Sequence, residues 1–150
     1  MAHFFQFEAD FAESLRCIPM LVRMKLDTCG VKLKLTHWNQ FTPEERQTLV
    51  TMACLTPEEI QAYRTFVQQL VTSKIGQPAG ELPTEEHPPW LNHKVIPEMV
   101  LEKATEVNVT ITPQQWENLT PLERFALIKL SRKSHENQNF YPALKEFKLI

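Results

Sequence analysis

The sequence predicts an all-α fold, built as a single compact helical domain over residues 1–150, and three observations support this prediction. Two segments, 18–50 and 96–128, resemble each other along their length. The stretches with the β-branched alternation of a strand, 31–33 and 109–111, are just three residues long. Strong helix-start signals of the form Thr-Pro-x-Glu/Gln recur at 42–45, 56–59, 112–115 and 120–123.

The recurring Thr-Pro motif is explained by the chemistry of a helix N-terminus. The first amides of a helix have no carbonyl partner within it, and a threonine hydroxyl just before the helix accepts from one of them. Proline suits the first helical position because its missing N–H would have no partner there. The acid or amide at the third position closes the reciprocal bond of a capping box. The motif therefore marks helix starts and is not a catalytic site.

A shift of 78 residues aligns the two similar segments, since residue 18 then falls opposite residue 96. Gly30 falls opposite Asn108, and these residue types best tolerate the left-handed conformation that ends a helix. The agreement predicts an internal duplication, with units at about 18–75 and 96–150 joined by a proline-rich connector at 76–95. Identical pairs include Ile18/Ile96, Pro19/Pro97, Val22/Val100, Lys25/Lys103, Val31/Val109, Trp38/Trp116, Thr42/Thr120, Arg46/Arg124 and Leu49/Leu127.

Each predicted unit has the same order of elements. Proline opens its first helix, at Pro19 or Pro97, and the glycine or asparagine ends that helix. An extended piece follows, then a short helix that carries Trp38 or Trp116, and then a helix opened by a Thr-Pro motif. The two extended pieces could pair with one another across a pseudo-two-fold axis, which would give a minimal two-stranded ribbon.

Two arginines and the connector fit structural roles. Arg46 and Arg124 occupy the fourth position of the duplicated helices, and we expect each to stack on, or bond near, the preceding tryptophan. The connecting segment is rich in proline, and long irregular loops often carry function. A strap over the core, pinned by Trp90, is the simpler interpretation of that segment.

Composition excludes several classes of protein. A net charge of −2 excludes a generally basic protein that coats nucleic acid, although not a local basic patch. No apolar run approaches the ~20 residues that a membrane span needs, and the N-terminus lacks the positive region of a secretory signal. The three cysteines include no CxxC pair, which fits reduced thiols and predicts a cytoplasmic protein.

The residue patterns predict no catalytic residue, no cofactor and no metal site. Phosphate-binding glycine motifs are missing from the sequence, and the serines lack the GxSxG context of a hydrolase. The histidines lack the HxxxH spacing of a helical metal site. The loop DTCGVKLKLTHW contains one acid, whereas a calcium loop needs several oxygen ligands.

Basic residues gather in two places along the chain. The cluster in the first unit consists of Arg16, Arg23 and Lys25. The other cluster ends the helix predicted at 121–132, where cations also suit the carbonyl end, and consists of Lys129, Arg132 and Lys133. Acids gather in the connector and at the start of the second unit. Solvated faces and an electrostatic docking face both explain this segregation of charge.

Four long and unusual stretches of the chain carry a family resemblance. They are LRCIPMLVRMKLD (15–27), GVKLKLTHW (30–38), RFALIKLSR (124–132) and HENQNFYPALKEF (135–147). Together they resemble the nitrate reductase-associated protein family of cyanobacteria and some other bacteria. The resemblance implies an accessory protein of nitrate assimilation whose partner is the assimilatory nitrate reductase, a molybdenum and iron–sulfur enzyme. It implies no catalytic residue in this chain.

The polar run that follows the helix at 121–132 is the candidate binding site. A well-capped turn between two helices would explain its serine and asparagines. Such a turn would not need a basic triad before it, nor a histidine and a glutamate within it. We expect a partner-binding surface or a small polar pocket formed by Lys129, Arg132, Lys133, His135, Glu136, Asn137 and Asn139.

Two functions are compatible with these residues and with the resemblance. The first is a non-enzymatic accessory protein that binds nitrate reductase. The alternative is a small enzyme or cofactor-handling carrier, with residues 129–139 as a pocket for an anion such as a molybdopterin phosphate. A carrier should show a deep pocket, and a docking protein a shallow basic and aromatic face. A nucleic-acid binder is disfavoured by the net charge.

Overall fold

The computed structural model describes residues 4–9, 15–132 and 138–150. Within these residues it contains eight α-helices, two short 3₁₀ helices and one two-stranded antiparallel sheet. The prediction of an all-α fold with a minimal ribbon is confirmed. The chain divides into two compact units, one formed by Met1–Phe4 and Glu8–Glu85 and the other by Phe5–Phe7 and Glu86–Ile150.

The first unit is built around one long helix. Its elements are α1 (Met20–Cys29), β1 (Val31–Lys32), α2 (Leu35–Trp38), α3 (Pro43–Thr51), α4 (Pro57–Ile75) and β2 (Gly80–Glu81). The apolar side of α4 supplies Tyr63, Val67 and Val71 to a core that also contains the fully buried Trp38. The Tyr63 hydroxyl donates to the carbonyl of Leu49 at 2.7 Å, so this buried polar group has a partner.

The second unit is a smaller group of helices around α7. Its elements are a 3₁₀ helix (Pro89–Leu91), α5 (Glu98–Glu106), α6 (Pro113–Asn118), α7 (Pro121–Leu130) and α8 (Phe140–Glu146). Phe5 is buried here, with its ring centre 5.1 Å from that of Phe147 on the chain after α8. The Glu146 carboxylate accepts from the backbone N–H groups of Gln6 and Phe7, at 2.9 and 3.3 Å.

All four Thr-Pro motifs form the predicted capping boxes. At the start of α3, the Thr42 hydroxyl accepts from the amide of Glu45 at 3.1 Å, and the Glu45 carboxylate accepts from the amide of Thr42 at 2.8 Å. The backbone N–H of Thr42, and beyond it the ammonium of Lys74, lower the pKa of the Glu45 carboxyl. The same reciprocal pair opens α4, α6 and α7, with Thr56, Thr112 and Thr120.

Left-handed residues end the helices where the sequence predicts them. Gly30 follows α1 with φ 79°, and Asn108 follows α5 with φ 60°. Gly30 is needed for a second reason, because a Cβ atom there would lie 2.7 Å from Thr84 Cγ2 and 2.9 Å from the Leu82 carbonyl oxygen. The segment after β2 therefore passes directly over the end of α1.

The ribbon has a different second strand from the one that the sequence suggested. β1 pairs with β2 in antiparallel register, Val31 with Glu81 and Lys32 with Gly80, rather than with residues 109–111. Side chains of α4 position β2. The Gln68 amide both donates to and accepts from the backbone of Ala79, at 3.1 and 2.8 Å. Arg64 donates to the carbonyl of Cys29 at 2.9 Å and forms an ion pair with Glu81.

The helices of both units follow the order that the duplication predicts: α1, α2 and α3 in the first unit, and α5, α6 and α7 in the second. The predicted extended segment is strand β1 in the first unit, whereas residues 109–112 of the second belong to no helix or strand. Trp38 and Trp116 lie in the corresponding short helices, and both are fully buried. The duplication itself stays a prediction.

We predict that Gly30→Ala destabilises the fold more than Gly76→Ala does. Both glycines have positive φ, so alanine strains the backbone at either position by about 1–2 kcal/mol. Around Gly76 a Cβ atom meets nothing within 4 Å, whereas at Gly30 it meets the Leu82 carbonyl oxygen. Urea denaturation should show a loss about 2 kcal/mol larger for Gly30→Ala. Equal losses would show that the segment after β2 does not pack on Gly30.

Candidate functional site

A tryptophan and an arginine hold the irregular segment that precedes α1. The Trp38 indole N–H donates to the carbonyl of Leu15 at 2.8 Å, and Arg46 Nη1 donates to the same oxygen at 3.0 Å. Arg46 also donates to the carbonyls of Trp38 and Asn39, and its guanidinium lies 5.7 Å from the Trp38 ring centre. Leu15 has φ 57°, a strained value for leucine.

The second unit contains a corresponding pair. The Trp116 indole N–H donates to the carbonyl of Asn92 at 3.0 Å, and Arg124 Nε donates to that of Trp90 at 2.8 Å. Arg124 Nη1 donates to the carbonyls of Trp116 and Leu119. Burial lowers the Arg124 pKa. The carbonyls accept the hydrogen bonds that water would accept from an exposed guanidinium. Arg124 therefore binds backbone, and so does Arg46.

The strap interpretation agrees with the contacts of Trp90 in the second unit. Its carbonyl binds Arg124, and its ring meets that of Phe125 edge-on, with 5.1 Å between ring centres. The end of the connector is thus fixed by both the backbone and the side chain of Trp90.

The basic cluster predicted in the first unit contains cations in different environments. Lys25 is half-buried, and its ammonium donates to the carbonyls of Val50 and Met52 at 2.7 Å each, where it caps the end of α3. Burial lowers the Lys25 pKa. Arg23 donates to the carbonyl of Ile18 at 2.9 Å, while Arg16 is exposed. Two of the three cations therefore bind backbone within their own unit.

The cysteines of the first unit include two unreactive thiols. Burial raises the pKa of Cys29 to about 11 and that of Cys54 to about 12. Because the thiolate is the nucleophile and the metal ligand, both groups are inert near neutral pH. No group of three His, Cys, Asp or Glu side chains that could hold a metal ion is found in the described part of the chain.

The predicted site at residues 129–139 lies only partly within the described structure. Lys129 is half-buried at the end of α7, with its ammonium 5.5 Å from the centre of the Phe125 ring. Arg132 is exposed, and Asn139 stands at the N-cap position of α8. The remaining predicted residues lie outside the described residues: Lys133, His135, Glu136 and Asn137.

Sequence reasoning missed an exposed stripe on α8. Phe140, Ala143, Leu144 and Phe147 are buried, so the opposite side of the helix faces solvent. Tyr141 and Lys145 are exposed on α8 at the spacing i, i+4, and Lys148 is exposed just beyond its C-terminal end; we call these three residues the α8 stripe. The helical spacing of Tyr141 and Lys145 is visible in the sequence FYPALKEFK, but the predicted site ended at Asn139.

Residues 4–147 match the conserved nitrate reductase-associated protein family. The chain belongs to this family. Neither a curated protein nor a solved structure matches the chain. Across the residues that the structure describes, no helix is both long enough and apolar enough to cross a membrane.

We predict that the folded protein exposes at most one rapidly reacting thiol of its three. At about pH 8, Cys29 and Cys54 should remain protonated and shielded, while the half-buried Cys17 is the accessible group. A chromogenic disulfide reagent should detect all three thiols in guanidinium. The Cys17→Ser variant should show none that react rapidly in the native state. Rapid native labelling of Cys54 would contradict the buried placement.

Proposed function

We propose that this protein is a non-enzymatic accessory protein of the assimilatory nitrate reductase, acting in the cytoplasm, and that it works by binding the enzyme. Membership of a family associated with that reductase supports the choice of partner. The proposal needs a surface that a protein could recognise, and the exposed basic and aromatic residues of the second unit supply one.

The observation that carries the proposal is which cations are bound within the protein and which are exposed. Within each unit, cations such as Arg46, Arg124 and Lys25 are hydrogen-bonded to backbone carbonyls. By contrast, Arg132, Lys145 and Lys148 are exposed, and no ion pair involves them among the described residues. Lys145 also lies beside the exposed ring of Tyr141. Exposed cations and an exposed aromatic ring are typical of a docking surface, where charge guides encounter and orientation.

The direct test is a binding titration with purified reductase from the same organism. The protein should form a saturable complex at low salt, and affinity should fall as salt screens the charges. Absence of a complex at any salt concentration, with reductase shown to be active and intact, would overturn the proposed function. Saturable binding of free molybdopterin without binding of reductase would favour the carrier alternative.

We predict that Arg132→Glu weakens binding to reductase without altering the fold. Arg132 is exposed, so its replacement should change stability by no more than ~0.5 kcal/mol. Reversal of one exposed charge that contributes to docking should raise Kd about 3- to 10-fold at low salt. Lys32→Glu is the matched control, because Lys32 is an exposed cation of the first unit.

The paired melting and titration curves decide the role of Arg132. A large fall in Tm for Arg132→Glu would show that Arg132 supports the fold. A Kd equal to that of the wild type would remove Arg132 from the docking surface.

A further inference from the structure

Two side chains of the α8 stripe, those of Tyr141 and Lys145, are in contact with each other. Tyr141 is 41% exposed, and the Lys145 ammonium lies 5.1 Å from the centre of its ring. This cation–π contact holds two long side chains together before any partner arrives. A tyrosine with an apolar ring and a polar hydroxyl is a frequent anchor at protein interfaces, since it buries much area at little entropic cost.

Lys148 lies in a backbone conformation that lysine rarely adopts. Its φ is 61°, in the left-handed region. Two bonds end α8 around it: the amide of Leu149 donates to the carbonyl of Leu144 at 2.9 Å, and the amide of Lys148 donates to that of Lys145 at 3.1 Å. This pattern is a Schellman motif, and its left-handed position is normally glycine or asparagine.

Three other helices of the described chain end in a left-handed residue, and each of these residues follows the normal preference. Gly30 after α1, Gly76 after α4 and Asn108 after α5 are all left-handed. Around Asn108 the same two bonds recur, from Val109 to Ala104 and from Asn108 to Thr105. Lysine at the corresponding place after α8 strains the backbone in a way that glycine would not. The chain therefore keeps a positive charge at a position where stability alone favours glycine.

Neither a neighbouring acid nor the helix dipole accounts for this lysine. The nearest acid in sequence, Glu146, is half-buried, and its carboxylate accepts from the backbone of Gln6 and Phe7. The carbonyl end of α8 already has Lys145 in its last turn. Among the described residues, the charges of Lys145 and Lys148 have no ionic partner within the chain.

We propose that the α8 stripe docks on an acidic surface of nitrate reductase, with Tyr141 as the anchor and Lys145 and Lys148 as the charges that orient it. The inference rests on the proposed function and adds to it the contact surface and the charge of the partner. Complementary charge is the reason to choose an acidic protein surface, since no ion pair within the described residues involves the cations of the stripe.

The test uses the strain at Lys148 to separate binding from folding. Lys148→Gly should raise Tm by about 2–5 °C, because it relieves the left-handed strain in a protein of 150 residues. The same change should raise Kd for purified reductase about 3- to 5-fold at low salt, with a smaller difference at higher salt. Lys148→Arg should retain the wild-type Kd. Lys32→Gln serves as the control for the loss of an exposed charge in the first unit.

Tyr141→Ala provides the second arm of the test. Loss of a central aromatic anchor should raise Kd tenfold or more, a change that salt should leave largely intact, since the contact of the ring is apolar. Thermal melts accompany each titration, because a more stable variant that binds less well cannot owe its weaker binding to unfolding.

The outcomes distinguish the two levels of the proposal. If wild-type protein binds reductase, and both Lys148→Gly and Tyr141→Ala bind it as tightly as the wild type, the docking role of the α8 stripe is wrong and the proposed function stands. If wild-type protein does not bind reductase, both are wrong. Charge-dependent binding of the stripe to anionic lipid vesicles or to RNA, with no binding to reductase, would also overturn the inference.

Discussion

The interaction on which each unit depends is the binding of backbone carbonyls by a tryptophan and an arginine. Carbonyls in irregular segments have no ladder of amides to pair with, so a fold that buries them must supply other donors. Trp38 and Arg46 share the carbonyl of Leu15, and Trp116 and Arg124 bind Asn92 and Trp90. A guanidinium has five N–H donors in a fixed plane, which is why arginine can join several such carbonyls.

Two groups of cations in the protein differ in what they bind. Those that bind carbonyls are committed to the fold, and Arg124, 5% exposed, is the clearest case. Others lie on the surface of the second unit without an ionic partner among the described residues, and Lys148 does so in a strained conformation. Because the chain belongs to a family associated with nitrate reductase, the second group is the natural candidate for recognition of that enzyme.

Local chemistry could be read from the sequence, and long-range contacts could not. Capping boxes and left-handed helix ends were predicted because their partners lie within a few residues. The partner of β1 was predicted wrongly because Gln68 and Arg64, far along the chain, position β2. Lys25 was grouped with surface cations because nothing in its neighbourhood reveals the carbonyls of Val50 and Met52. Tyr141 and Lys145 could have been predicted as an exposed pair, since their spacing is helical.

Zero-length carbodiimide cross-linking of the protein to purified reductase tests the docking account most directly. The reagent joins an ammonium to a carboxylate only when the two groups are in contact. The account predicts that mass spectrometry will find Lys145 or Lys148 joined to aspartate or glutamate side chains of the reductase, and that added salt will suppress these products. Cross-links formed only through lysines of the first unit, such as Lys32 and Lys34, would contradict it.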